Sequence, residues 1–170
     1  DRLAEAIDST VEAHPYLKTR LFMDDNGNVL QKRNDGLSYK TPILNGMNRD
    51  TLVRPYMLFN EQLFRFEIHR TCDGNYLFLD IHHIVADGTS LGIILNDINR
   101  AYSGEKLEVE EYTSYDLALD NRDALASDAY KNAENYYKSV FENAGGSINF
   151  YPDKSGAAPT AEMYHRETSE

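Results

Sequence analysis

Leu3, Ala6, Ile7, Thr10, Val11 and His14 recur at intervals of three and four residues, with Asp1, Glu5, Asp8 and Glu12 on the opposite side. This spacing predicts an amphipathic helix with one apolar face. Asp1 and Glu5 lie at its start, where they favour the helix dipole, and Pro15 stops it, so the helix is expected to end near His14. Beyond it, Leu17–Met23 and Asn28–Lys32 flank the polar turn Asp24-Asp25-Asn26-Gly27, which predicts a hairpin. Residues 35–60 follow neither period and contain Gly36, Pro42, Gly46 and Pro55, so they are expected to be loop with short strands.

Two strand-like runs follow, residues 62–70 and 75–83, joined across Cys72-Asp73-Gly74. The Asp-Gly pair predicts a second hairpin. The second run is apolar almost throughout, which suits a strand covered on both faces and central in its sheet. Leu91, Ile94, Leu95, Ile98 and Tyr102 then form a helical stripe, with Gly104 placed as the cap. Residues 114–125 and 127–143 are also helical in pattern, the latter carrying Tyr130, Tyr136 and Tyr137 and ending at Gly145-Gly146. Residues 149–170 hold Pro152, Gly156 and Pro159 among small residues and read as a linker. No internal repeat is present.

At 170 residues the chain is about one compact unit. Its 41% hydrophobic residues suffice for a core, and no apolar run approaches the roughly 20 residues that cross a bilayer. Seventeen basic residues against 28 acidic ones give a formal charge of -11, which repels a phosphate backbone and argues against nucleic acid as a partner. The first residues lack a basic targeting region, and the single cysteine, Cys72, can close no internal disulfide, so a cytoplasmic setting is expected. Cys72 has no base adjacent in sequence and is read as incidental. His69 and His165 are read as surface residues, the acidic face of the first helix as solvated, and the tyrosines of the last helix as packing against the lobe.

Chemistry concentrates in His82-His83-Ile84-Val85-Ala86-Asp87-Gly88, where two histidines end a strand and an Asp-Gly turn opens a helix. Along an extended strand the two rings point to opposite faces, so one can meet a cleft while the other packs. A neutral imidazole can take a proton from an attacking amine or hydroxyl, and a nearby carboxylate can fix the loop that carries it. A metal site is disfavoured, because the rings diverge and no further His or Cys lies nearby in sequence.

The string His-His-x-x-x-Asp-Gly, here His82, His83, Asp87 and Gly88, resembles the signature of nonribosomal peptide synthetase condensation domains, in the chloramphenicol acetyltransferase-like superfamily. Thr89-Ser90-Leu91-Gly92-Ile93-Ile94-Leu95 is similar to that family's continuation into a helix. Residues 13–21 resemble its Arg-His-Glu-x-Leu-Arg-Thr-x-Phe motif, with His14, Leu17 and Thr19 in place and Ala13, Pro15, Lys18 and Leu21 departing. Asp116-Leu117-Ala118 is similar to the centre of a later motif, with Ser114 and Asp120 in place of its Tyr and Trp.

The resemblance implies an α/β two-layer sandwich with a mixed, largely antiparallel sheet and helices mainly on one face. Residues 1–148 would be an N-terminal lobe and 149–170 the linker toward an absent C-terminal lobe. It implies amide bond formation between acyl or aminoacyl thioesters held on donor and acceptor carrier proteins. The cofactor is indirect, the phosphopantetheine arm of those partners. His83 would be catalytic, orienting or deprotonating the amine or stabilising the tetrahedral intermediate. His82, Asp87 and Gly88 would support it, and Lys18 or Arg20 would pair with Asp87. An epimerization domain shares the two histidines but usually continues Ser-Trp-Arg, where this chain has Ser90-Leu91-Gly92, so condensation ranks first. A coenzyme A-dependent acyltransferase of the same superfamily and a degenerate, non-catalytic docking lobe stay open beside it. The isolated chain is expected to be inactive, and a homodimer through its uncovered face is allowed.

Overall fold

The computed structural model describes residues 1–142. Their elements run α1 (Arg2–Ala13), a 3₁₀ turn (Pro15–Lys18), β1 (Thr19–Met23), β2 (Val29–Arg33), β3 (Ile43–Asn45), β4 (Phe64–Arg70), β5 (Asn75–Ile81), α2 (Gly88–Tyr102), α3 (Ser114–Leu125) and α4 (Asp128–Phe141). The chain divides into two compact units, Asp1–Ala124 and Leu125–Glu170.

In the first unit, Asp1 caps α1 by accepting a hydrogen bond from Leu3 N at 3.1 Å, and the helix stops before Pro15, as its period predicts. β1 and β2 form the expected antiparallel hairpin, with Met23 opposite Val29 and Gly27 at φ 82° in the turn. A side chain would be strained at that φ, which explains the glycine. β3, β4 and β5 form a second sheet in that order, β3 parallel and β5 antiparallel to β4. Mixed pairing, mostly antiparallel, agrees with what the resemblance implies. Among the described residues the sheet is nevertheless two separate ladders, joined by a parallel bridge between Leu21 and Phe59.

Phe64, Phe66 and Ile68 alternate along β4 toward α1 and α2, where they meet Ile7, Val11, Ile94 and Ile98. Leu77, Leu79 and Ile81 of β5 flank the same core. The central strand among those described is β4, not β5, which corrects the expectation from β5's continuous apolar run. That run arises because Tyr76 and Phe78 supply aromatic surface on the outer face; Phe78 meets the His69 ring edge-on at 6.3 Å. It does not signal two covered faces.

His69 is also not a surface residue, being only 5% exposed. Its ring bonds the carbonyl of Gly46 at 3.0 Å and Glu67 at 3.1 Å, and Arg54 pairs with Glu67. The aperiodic 46–54 segment thus reaches the outer side of β4. Nor is the acidic side of α1 simply solvated. Asp8 accepts from Thr41 N at 2.7 Å and Thr41 Oγ1 at 2.8 Å, tying the approach to β3 onto the helix, and Glu12 pairs with Lys18.

β3 pairs with β4 only from Ile68 to Arg70, so the earlier part of that edge needs another partner. The Tyr39 hydroxyl donates to Phe66 O at 2.7 Å and accepts from Phe66 N at 3.3 Å, taking the place of a paired strand. The α2 stripe ends as its pattern predicts, with Gly104 in the left-handed region at φ 92° after Ser103.

Of the second unit, the described part is mainly α4, capped by Ser127, whose side chain accepts from Tyr130 N at 3.1 Å. Tyr130, Tyr136 and Tyr137 all lie on α4. Within the helix, the Tyr137 ring meets those of Tyr136 and Phe141. Gly145-Gly146, the 149–170 stretch and His165 lie outside the described residues.

Burial drives the Tyr39 hydroxyl up to about 12. In the unfolded chain it ionises near 10, so the folded state holds its proton more tightly. The associated stability is complete below about pH 10 and is lost as pH rises toward 12. Urea unfolding at pH 8 and 11.5 should therefore show a larger alkaline loss for the parent than for Tyr39→Phe, which at pH 8 should be less stable by about 1 kcal/mol. Equal alkaline losses would contradict the assignment.

Candidate active site

β5 ends at Ile81, so His82 and His83 lie just past the strand rather than within it. His82 N still donates to Leu63 O at 2.9 Å, after which Val85 N donates back to His82 O at 3.1 Å and closes a turn. That closure is what breaks the extended backbone expected from the sequence. His82 Nδ1 accepts from Ile84 N at 3.1 Å, so in the neutral ring the proton sits on Nε2. The same ring meets Tyr56 edge-on, centroids 5.6 Å apart at 85°. His83 is exposed and makes no hydrogen bond or ion pair among the described residues. One ring is therefore held while its neighbour is free to meet a ligand.

Asp87 is the N-cap of α2. Its Oδ1 accepts from Ser90 N and Ser90 Oγ, each at 2.8 Å, and Asp87 N donates to Ser90 Oγ at 3.2 Å, a reciprocal capping box. These bonds, the backbone N–H of Ser90 foremost, hold the Asp87 carboxyl below its usual range. It therefore stays ionised within that range too, and the stability the cap contributes is complete above the range and lost as pH falls through it to the carboxyl's lowered value. Gly88 opens the helix, and an added Cβ there would meet nothing within 4 Å.

Neither cation expected beside Asp87 is there. Lys18 is 8% exposed and its Nζ lies 2.5 Å from Glu12 Oε2. It closes the 3₁₀ turn that follows α1, so its side chain folds back along that helix. Arg20, half-buried in β1, has no ion pair among the described residues. The Asp87 carboxylate is satisfied within its own helix.

Beside the turn lies a cavity of about 280 Å³, whose walls include Val85, Ala86, Ile93 and Leu117 and whose polar groups include His14 and Glu110. His14 Nε2 is 2.9 Å from Asp97 Oδ2 and its Nδ1 3.3 Å from Glu110 Oε2. A neutral ring can donate to one of these carboxylates and a protonated ring to both. Arg100 Nη1 also holds Asp97, at 2.6 Å. Sequence reasoning missed this cluster, although Asp97 between Ile94 and Ile98 places an acid on a buried helical stripe. It also missed Tyr56 and Arg65, for which neither period nor motif gives a signal.

Fold and turn together define an α/β protein whose candidate reactive histidine stands at a strand-to-helix junction. A model of the condensation domain matches residues 1–169, and the chain belongs to the condensation-domain family. It is similar to surfactin synthase subunit 2 of Bacillus subtilis (strain 168), 30% identical over 149 residues, covering 84% of this chain and 4% of that protein. Among solved structures it resembles the epimerization domain from the third module of tyrocidine synthetase B, with TM-score 0.72 and 20% identity over 92% of this chain and 40% of that one. The condensation domain from Monacolin K polyketide synthase gives TM-score 0.70 and 21% identity over 86% and 36%. The fold is thus the chloramphenicol acetyltransferase-like one expected. At the coarse level the family is one of acyl- and amide-forming transferases. The chain spans about 4% of the length of its synthase relative and well under half of either solved chain.

Double-mutant cycles check the ion-pair correction. Lys18 and Asp87 should show coupling within about 0.5 kcal/mol of zero, whereas Lys18 and Glu12 should be measurably coupled. A strong Lys18–Asp87 coupling would overturn it.

Proposed function

We propose that this chain is the N-terminal lobe of a nonribosomal peptide synthetase condensation domain, residues 149–170 leading toward a second lobe. In this reading the donor and acceptor substrates arrive as thioesters on the phosphopantetheine arms of carrier proteins. The acceptor amine attacks the donor carbonyl, the C–S bond breaks, and an amide forms. His83 takes the amine proton, which passes to the departing thiolate, so the imidazole ends as it began. The observation that carries this reading is the turn itself: His82 is locked by Ile84 N and Tyr56, Asp87 caps the helix, and His83 between them is left exposed and unpartnered among the described residues.

The likeness to an epimerization domain favours a second reading in fold alone. The residues after Asp87-Gly88, Ser90-Leu91-Gly92, favour condensation over it. His83→Ala in the complete domain should lower the condensation rate roughly 10²- to 10⁴-fold without changing thermal unfolding. Normal turnover by that variant would refute the role of His83. The 170-residue chain alone should give no condensed product from loaded carriers, because substrate positioning, worth roughly 7 to 11 kcal/mol of barrier, needs both lobes. Robust product from the chain alone would contradict the lobe assignment.

A further inference from the structure

We infer that Tyr56 is a positioning residue for the histidine-bearing turn, clamping it on both sides of His83 while touching no substrate itself. The inference rests on the proposed acyl transfer at His83. Before His83, the Tyr56 hydroxyl donates to Asp80 O at 2.9 Å and its ring stands edge-on to His82, centroids 5.6 Å apart. After His83, the ring packs against the small apolar cluster of Leu21, Leu63 and Val85, and Val85 belongs to the turn.

Tyr56 is itself fixed from the sheet. The Arg65 guanidinium lies over its ring, 3.7 Å from the centroid. From there Arg65 donates to Arg54 O at 2.7 Å and Pro55 O at 2.8 Å, the two carbonyls preceding Tyr56. It also bonds Asp80 Oδ2 at 3.0 Å, which sets strand β5 against the same group. One arginine on β4 therefore aligns the aperiodic 54–56 segment, the end of β5 and, through the tyrosine, the His82 ring. Burial first, and then the Asp80 charge, push the Tyr56 hydroxyl well up from its ordinary range. It remains a donor throughout the pH range in which an imidazole changes charge. Because the His83 side chain has no partner of its own among the described residues, its placement depends on what holds residues 82 and 85. Misplacement of a reacting group by about 1 Å can cost on the order of 100-fold in rate.

The test uses the complete domain with loaded donor and acceptor carriers. Tyr56→Leu should lower kcat roughly 10- to 100-fold while leaving KM for both carriers within about twofold, as expected for lost alignment rather than lost binding. Tyr56→Phe, which keeps the ring and loses the hydroxyl, should recover most of that rate. In a His83→Ala background Tyr56→Leu should cause no further loss, since the clamp acts through His83. In both Tyr56 variants the imidazole nitrogen resonances of His82 should shift. Wild-type kcat in Tyr56→Leu, or the same fold-loss in the His83→Ala background, would overturn the inference. If Tyr56→Leu fails to fold, Tyr56→Phe decides: unchanged kcat with unchanged His82 resonances overturns it, and a few-fold lower kcat with shifted resonances supports it. If His83→Ala by itself keeps full activity, the site reading fails, while the His82 resonances still report whether Tyr56 holds the turn.

Discussion

Burial of β4 is the constraint from which the larger unit follows. Phe64 and Phe66 are 2% and 0% exposed, and Ile68 1%, so this strand must have helices over one face and partners along both edges. α1 and α2 supply the first, and β5 and β3 the second, with the Tyr39 hydroxyl serving Phe66 where β3 does not reach. Even the outer face is committed, since Glu67 and His69 are buried and bonded to one another. Burying those polar groups is tolerable because each has a further partner, Arg54 for Glu67 and the Gly46 carbonyl for His69.

The site inherits its rigidity from that arrangement. β5 is registered against β4 from Asn75 to Ile81, and the pairing runs one bond further, from His82 N to Leu63 O. The chain must then turn within a few residues to place α2 over β4, because Ile94 and Ile98 belong to the same core as Phe66. Asp87 ends the turn by capping α2. An exposed imidazole on a short loop would ordinarily be loosely placed; here the loop is bounded by a ladder bond on one side and a helix cap on the other.

The elements that obey a single period are legible in the sequence. α1 and α2 follow from three- and four-residue spacing, both hairpins from Gly-containing turns, and the histidine turn from its motif. What fails depends on contacts distant in the chain. β5 reads as central because an outward aromatic such as Phe78 is as apolar as a buried one, and only the pairing order shows which strand lies in the middle. His69 reads as exposed because the loop covering it, around Gly46, has no pattern that announces where it folds. The motif matches Lys18 with Asp87, yet the nearer carboxylate of Glu12, six residues before it, takes the lysine. Tyr56 lies in an aperiodic stretch, and nothing local connects it with His82.

The amide formation proposed for this turn is tested most directly by following both the acyl group and its Cα hydrogen. The complete domain would be given an aminoacyl donor carrier and an aminoacyl acceptor carrier in deuterium oxide, with the mass of each carrier read after reaction. With amide formation, the acceptor carrier should gain the donor acyl mass as an amide, with no deuterium at the donor Cα. A donor that stays on its own carrier and takes up one deuterium at that carbon would contradict it.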